Sequence, residues 1–119
     1  MSEPKALIIE DDSGIAFIYQ EALQLAGYKT EILENGRFAL QHLTQNTPNF
    51  ILLDLHLPEV SGAEILEFIQ EQPQFADTII FITTADHVQA EQLRAKVDLV
   101  LLKPISFIQL RDMALRFRP

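Results

Sequence analysis

Short apolar runs, each closed by a polar residue, recur along this chain and set its architecture. Residues 6–9, 50–53, 78–82 and 99–102 are almost continuously oily, and residues 30–33 form a weaker member of the series. Runs this short, rich in Ile, Leu and Val and lacking a polar alternation, predict strands buried on both faces. Between them lie amphipathic segments whose apolar residues recur three and four apart, the spacing of a helix with one buried face. Alternation of the two patterns predicts an α/β fold in which helices cover both faces of a parallel sheet.

The helices can be outlined in the same way. Ser13 is placed to cap a first helix running to about Ala26, with Ile15, Ile18, Leu23, Leu25 and Ala26 as its stripe and Phe17 and Tyr19 near its edges. Gly27 is expected to stop it in a left-handed conformation. Asn35-Gly36 signals a turn, and Phe38, Leu40 and Leu43 mark a second helix closed by the polar residues 44–48. Residues 56–62 read as a loop before a third helix bearing Ile65, Leu66, Phe68 and Ile69. A fourth helix is expected over residues 88–95, and the fifth strand from Val97 or Asp98. Ser106 should cap a last helix carrying Phe107, Ile108, Leu110, Met113, Ala114, Leu115 and Phe117. No repeat or linker interrupts the pattern, so residues 1–119 read as a single domain.

Composition narrows the function classes. The chain is 48% hydrophobic and 22% charged, a balance that supports a packed core. It has no cysteine, which removes disulfides, thiol nucleophiles and thiolate metal sites. The start lacks a secretory pattern, and no apolar stretch nears the ~18 residues of a membrane span. A cytoplasmic location is the expectation. A net charge of −8 argues against direct contact with nucleic acid or an anionic membrane. Arg111, Arg116 and Arg118 cluster at the end, where solvated positions complementing a helix dipole are the plainest reading.

The polar residues that close the oily runs carry the chemistry. They are Glu10-Asp11-Asp12, Asp54, Thr83-Thr84 and Lys103-Pro104. If the strands are parallel, these positions share one rim of the sheet. In the flavodoxin-like order 2-1-3-4-5, strands one and three are neighbours at the point where the winding direction switches, a common ligand position. Asp11 and Asp54 end those two strands. Carboxylates this close repel unless a cation lies among them, and an oxygen-only donor set points to Mg2+, with Mn2+ a plausible substitute.

Ile8-Ile9-Glu10-Asp11-Asp12, Leu52-Leu53-Asp54-Leu55-His56-Leu57-Pro58 with Gly62, Thr84-Ala85 and Leu102-Lys103-Pro104 closely resemble the receiver domain of two-component response regulators, CheY-like in type. The resemblance spans the chain, and the four motifs together, in order, make it specific. It implies a (βα)5 doubly wound, three-layer flavodoxin-like sandwich. It implies Asp54 as phosphoacceptor, taking a phosphoryl group from a sensor histidine kinase or a histidine phosphotransfer protein. Asp11 then matches the direct metal ligand, Glu10 the second acidic ligand, often acting through water, and the backbone carbonyl of His56 a third protein ligand beside Asp54. Thr84 matches the hydroxyl that moves onto a phosphoryl oxygen, and Lys103 the ammonium that binds another. The same resemblance implies a downstream effector protein, a monomer or phosphorylation-dependent dimer, and self-modification with no external substrate turned over.

Bland readings stand beside these. Asp12 reads as a solvent-facing or capping neighbour, and His42 and His87 as surface residues. Thr83 competes with Thr84 for the switch role, although Ala85 favours Thr84. The chain also departs from the receiver pattern. Val100 stands where an aromatic side chain usually reports phosphorylation, and the interval from Thr84 to Lys103 is short, so helix four should be shortened or displaced. Asp86 is expected near the path of an attacking water, where with His56 it would tune phosphoryl lifetime. A receiver fold that signals through a constitutive interface, without phosphorylation, is the alternative. A phosphatase of the haloacid dehalogenase type would need a second Asp where His56 stands, and the acidic loop at residues 10–12 would repel a flavin phosphate.

Overall fold

The computed structural model describes residues 2–119. Five strands, β1 (Lys5–Ile9), β2 (Lys29–Leu33), β3 (Phe50–Asp54), β4 (Ile79–Thr84) and β5 (Leu99–Leu102), form one parallel sheet in the order β2-β1-β3-β4-β5. The helices between and after them are α1 (Ser13–Leu25), α2 (Gly36–Gln45), α3 (Gly62–Glu71), α4 (His87–Leu93) and α5 (Phe107–Phe117), with a short 3-10 turn at Pro73–Phe75. The fold class and strand order match the expectation.

Strand alternation divides the interior into two cores. Ala6, Ile8, Phe50, Leu52, Phe81 and Leu101 point into one, against Ala16, Tyr19, Ala22 and Leu23 of α1 and Leu110 and Ala114 of α5. Leu7, Ile9, Ile51, Leu53, Ile82 and Val100 point the other way, under α2, α3 and α4. Both faces of the sheet are therefore dry, which is why its strands are oily without interruption. Edge-on aromatic contacts run through the first core, with Phe50 and Phe81 centroids 4.6 Å apart and Phe81 and Phe117 5.3 Å apart.

Several local expectations shift. Asp12, not Ser13, caps α1, its carboxylate accepting from the Ile15 N–H at 3.0 Å. The buried stripe of α1 is rotated: Ile18 and Leu25 are exposed, whereas Tyr19 is buried. The small residues Ala16 and Ala22 lie at the contact because α1 packs closely on the sheet and on α5. Phe38 and Val88 are likewise exposed, with Ala39 and Ala90 taking the inward positions of α2 and α4. Gly27 does stop α1 with φ +94, and Ser106 does cap α5 through the Gln109 N–H. Helix α4 is short, seven residues, as the spacing implied. Strand β4 runs on past Ile82 to include both Thr83 and Thr84, and β5 begins only at Leu99. In the sheet register Thr83 is the Cα partner of Asp54.

Candidate functional site

Parallel strands deliver their carboxyl ends to one rim, and there the polar residues gather. Glu10 and Asp11 follow β1, Asp54 ends β3, Thr84 ends β4 and Lys103 follows β5. Oxygen atoms of Glu10, Asp11 and Asp54 all lie within 4.8 Å of one another. Lys103 Nζ sits 3.2 Å from Asp54 Oδ2 and 3.4 Å from Glu10 Oε1. The rim loops are tied to the strands by backbone bonds: the Lys103 N–H donates to the Thr84 carbonyl at 2.8 Å, and the Leu55 N–H to the Thr83 carbonyl at 3.1 Å. The Lys103–Pro104 peptide bond is cis.

Asp54 is buried and held from two sides. Its Oδ1 accepts the backbone N–H of His56 at 3.0 Å while Oδ2 faces the lysine. Asp11, in contrast, is exposed, so the cluster is open on one side. Thr84 is fully buried, and its hydroxyl accepts the Asp86 N–H at 3.0 Å. The His56 imidazole reaches the same hydroxyl, Nε2 to Oγ1 3.4 Å. That contact was not legible beforehand, since it depends on the β3–α3 loop folding back towards β4. Asp86 spends its carboxylate capping α4, accepting from Val88 and Gln89 N–H groups at 2.9 and 3.1 Å. Asp12, as a cap, matches its plain reading.

The charges perturb one another. Burial pushes the Glu10 carboxyl up to about 7 and the neighbouring Asp54 adds to the rise, while the Asp12 N–H and Lys103 hold it down. Burial works against the Lys103 charge, yet Asp54 and Glu10 outweigh it and raise its pKa. Three clustered carboxylates, without a nitrogen or sulfur donor among them, fit a hard divalent cation. A cation there would offset the repulsion that the single lysine leaves only partly compensated.

A pH dependence follows. A carboxyl whose folded pKa lies above its unfolded value stabilises the fold fully below the ordinary carboxylate range, and that contribution is lost as pH rises through about 7. In chelator, the melting temperature should fall between pH 5 and pH 8, and Glu10→Gln should flatten that slope. Added Mg2+ should raise the melting temperature more at pH 8 than at pH 5. A melting temperature that climbs across this interval in chelator would contradict the assignment.

Two concavities, of about 620 and 360 Å³, lie at the opposite rim, beside Thr78, Ile80 and Asp98 and beside Lys5 and Lys29 respectively. Neither includes a residue of the acidic cluster. No helix among the described residues is long and apolar enough to cross a membrane.

Comparison with known proteins adds the family context. The family model for the response regulator receiver domain matches residues 6–115. The polar-differentiation response regulator DivK of Brucella anthropi is 27% identical over 107 residues, covering 87% of each chain. The sporulation initiation phosphotransferase F of Bacillus subtilis is 28% identical, with 100% of this chain and 97% of that protein covered. The chemotaxis response regulator CheY4 of Vibrio cholerae superposes with a TM-score of 0.87 at 25% identity, over 98% of this chain and 99% of the other.

Proposed function

This chain belongs to the response regulator receiver domain family, and from that premise we propose that it accepts a phosphoryl group on Asp54 in a Mg2+-dependent reaction and thereby switches its binding to a partner protein. The phosphodonor is a histidine kinase or a histidine phosphotransfer protein, and the reader is a downstream effector. The observation that carries the reading is the convergence of Asp54, Glu10, Asp11 and Lys103 at one rim, with the lysine 3.2 Å from the carboxylate to be phosphorylated.

The roles follow from position. Asp54 supplies the nucleophilic oxygen, and the His56 N–H fixes the orientation of its carboxylate. Glu10, Asp11, Asp54 and the backbone carbonyl of His56 are the groups that would hold Mg2+, which when bound neutralises charge on the transferring phosphoryl group. Lys103 is placed to follow charge from the carboxylate onto a phosphoryl oxygen, and Thr84 supplies a hydroxyl to another. Transfer through a loose transition state needs mainly such positioning and charge compensation. Thr84 must leave the His56 imidazole to make its new bond, so the β3–α3 and β4–α4 loops are coupled through one hydroxyl. The protein modifies itself and turns over no external metabolite.

Incubation with acetyl phosphate and Mg2+, followed by intact-mass measurement, should reveal one added phosphoryl group, and excess chelator should prevent it. A wild-type protein that stays unmodified would remove the proposal. A second reading, partner binding without phosphorylation, draws on Val100, which is buried in the core beneath α2, α3 and α4 and has no aromatic ring to swing. In that case the affinity for a partner would not change with acetyl phosphate treatment.

A further inference from the structure

Thr83 is the unexplained residue of this rim. Its side chain is 1% exposed, and its Oγ1 has no hydrogen-bond partner among the described residues. A buried hydroxyl left alone is unfavourable, and valine would fill the same volume without that penalty. Thr84 beside it shows no such deficit, because Asp86 and His56 serve its hydroxyl.

Alternation along the strands shows where Thr83 belongs. Phe81 and Leu101 point into the core beneath α1 and α5, and so does Leu52. Two residues further on, Thr83, Lys103 and Asp54 return to that same side of the sheet. Thr83 and Asp54 are register partners, on strands ~4.8 Å apart. Leu101 is the register partner of Thr83 on its other side, so the Lys103 side chain crosses β4 near Thr83 to reach Asp54. Thr83 is thus the neighbour of Asp54 on that side of the sheet, while both carboxylate oxygens are already engaged, Oδ1 by the His56 N–H and Oδ2 by the lysine.

Phosphorylation changes that arrangement. An Asp54 oxygen forms a bond to phosphorus as the bond from phosphorus to the donor breaks, and the electron pair leaves with the donor. Negative charge now resides on the phosphoryl oxygens, which draws Lys103 away from the carboxyl group. We propose that Thr83 is a reserve donor: its hydroxyl, retaining its proton, bonds the aspartyl oxygen that Lys103 releases and so stabilises the phosphorylated state. This inference rests on the functional reading above. It accounts for a polar group kept idle in the unmodified protein.

Thr83→Val and Thr83→Ser test it. Each protein is phosphorylated with acetyl phosphate and Mg2+, checked for full modification by intact mass, and its denaturant midpoint compared with that of the same protein unmodified. A hydrogen bond confined to the phosphorylated state predicts that the phosphorylated Thr83→Val protein unfolds at a lower midpoint, relative to its unmodified form, than wild type does, with most of the difference restored in Thr83→Ser. The unmodified Thr83→Val protein should unfold at a midpoint no lower than wild type, since it loses only an unpartnered hydroxyl. An equal shift on phosphorylation in the Val variant and wild type would overturn the inference, as would a Ser variant shifted like Val or an unmodified Val variant with a lower midpoint. A wild-type protein that forms no adduct removes the functional reading instead.

Discussion

Asp54→Asn should abolish phosphoryl uptake while leaving the fold intact. The amide oxygen is a poor nucleophile, and loss of an attacking group lowers rates by at least about a thousandfold. Asparagine has nearly the same shape and can still accept the His56 N–H that Asp54 Oδ1 accepts now at 3.0 Å. Lys103 keeps Glu10 as a partner at 3.4 Å. With one buried carboxylate neutralised, the repulsion that helps to raise the Glu10 pKa also disappears. The metal-free variant should therefore unfold at a denaturant concentration no lower than wild type above pH 7. Intact mass after acetyl phosphate treatment reads the first effect, and an adduct on the variant at wild-type yield would mean that the phosphoryl group goes elsewhere. Equilibrium unfolding in chelator reads the second.

Gly62→Ala should destabilise the protein by about 3 kcal/mol, the upper range of overpacking substitutions. Gly62 opens α3 behind the Ser61 cap, and its N–H donates to the Leu55 carbonyl at 3.1 Å. A Cβ there would meet the carbonyl oxygen of Asp54 and would lie 2.5 Å from Leu55 Cα. Both are backbone atoms at the end of β3, so relief requires α3 to move away from the strand that carries Asp54. Phosphorylation should slow as well, because the carboxylate and the His56 N–H that orients it shift with that backbone. Gly14→Ala is the control: its added methyl meets only Asp12 Oδ1, at an ordinary 3.4 Å, and a helical Gly→Ala change favours α1. Denaturant midpoints compare the two. A Gly62→Ala midpoint within about 0.5 kcal/mol of wild type would show that the β3–α3 junction yields more readily than its packing implies.

The helices show where pattern reading loses resolution. Ile18 and Leu25 belong to the apolar period of α1, yet they lie outward and Ala16 and Ala22 inward. Hydrophobicity ranks residues by transfer from water, whereas close packing against α5 and the sheet selects small ones at the contact. The same substitution of small for large recurs at Ala39 beside Phe38 and at Ala90 near Val88. Strand interiors were legible even where their ends were not, because a dry two-sided sheet tolerates few polar residues. The exceptions at the rim, Asp54, Thr83 and Thr84, are the positions where chemistry replaces packing.

The likeness of its motifs to receiver domains implied the 2-1-3-4-5 winding; by itself, the amino-acid pattern determined the α/β class and, given parallel strands, the gathering of Glu10, Asp11, Asp54, Thr84 and Lys103 at one rim. The class and the gathering follow from strand period, strand direction and the residue that ends each run, which are local properties of the chain. Only the tertiary structure decided which charged groups touch, that Glu10 is buried against Lys103, and that His56 holds the Thr84 hydroxyl. It also settled which of two adjacent threonines faces Asp54, because that depends on the register between β3 and β4. Register is a pairing between residues far apart in sequence, selected by the packing of both cores together, and no single segment encodes it.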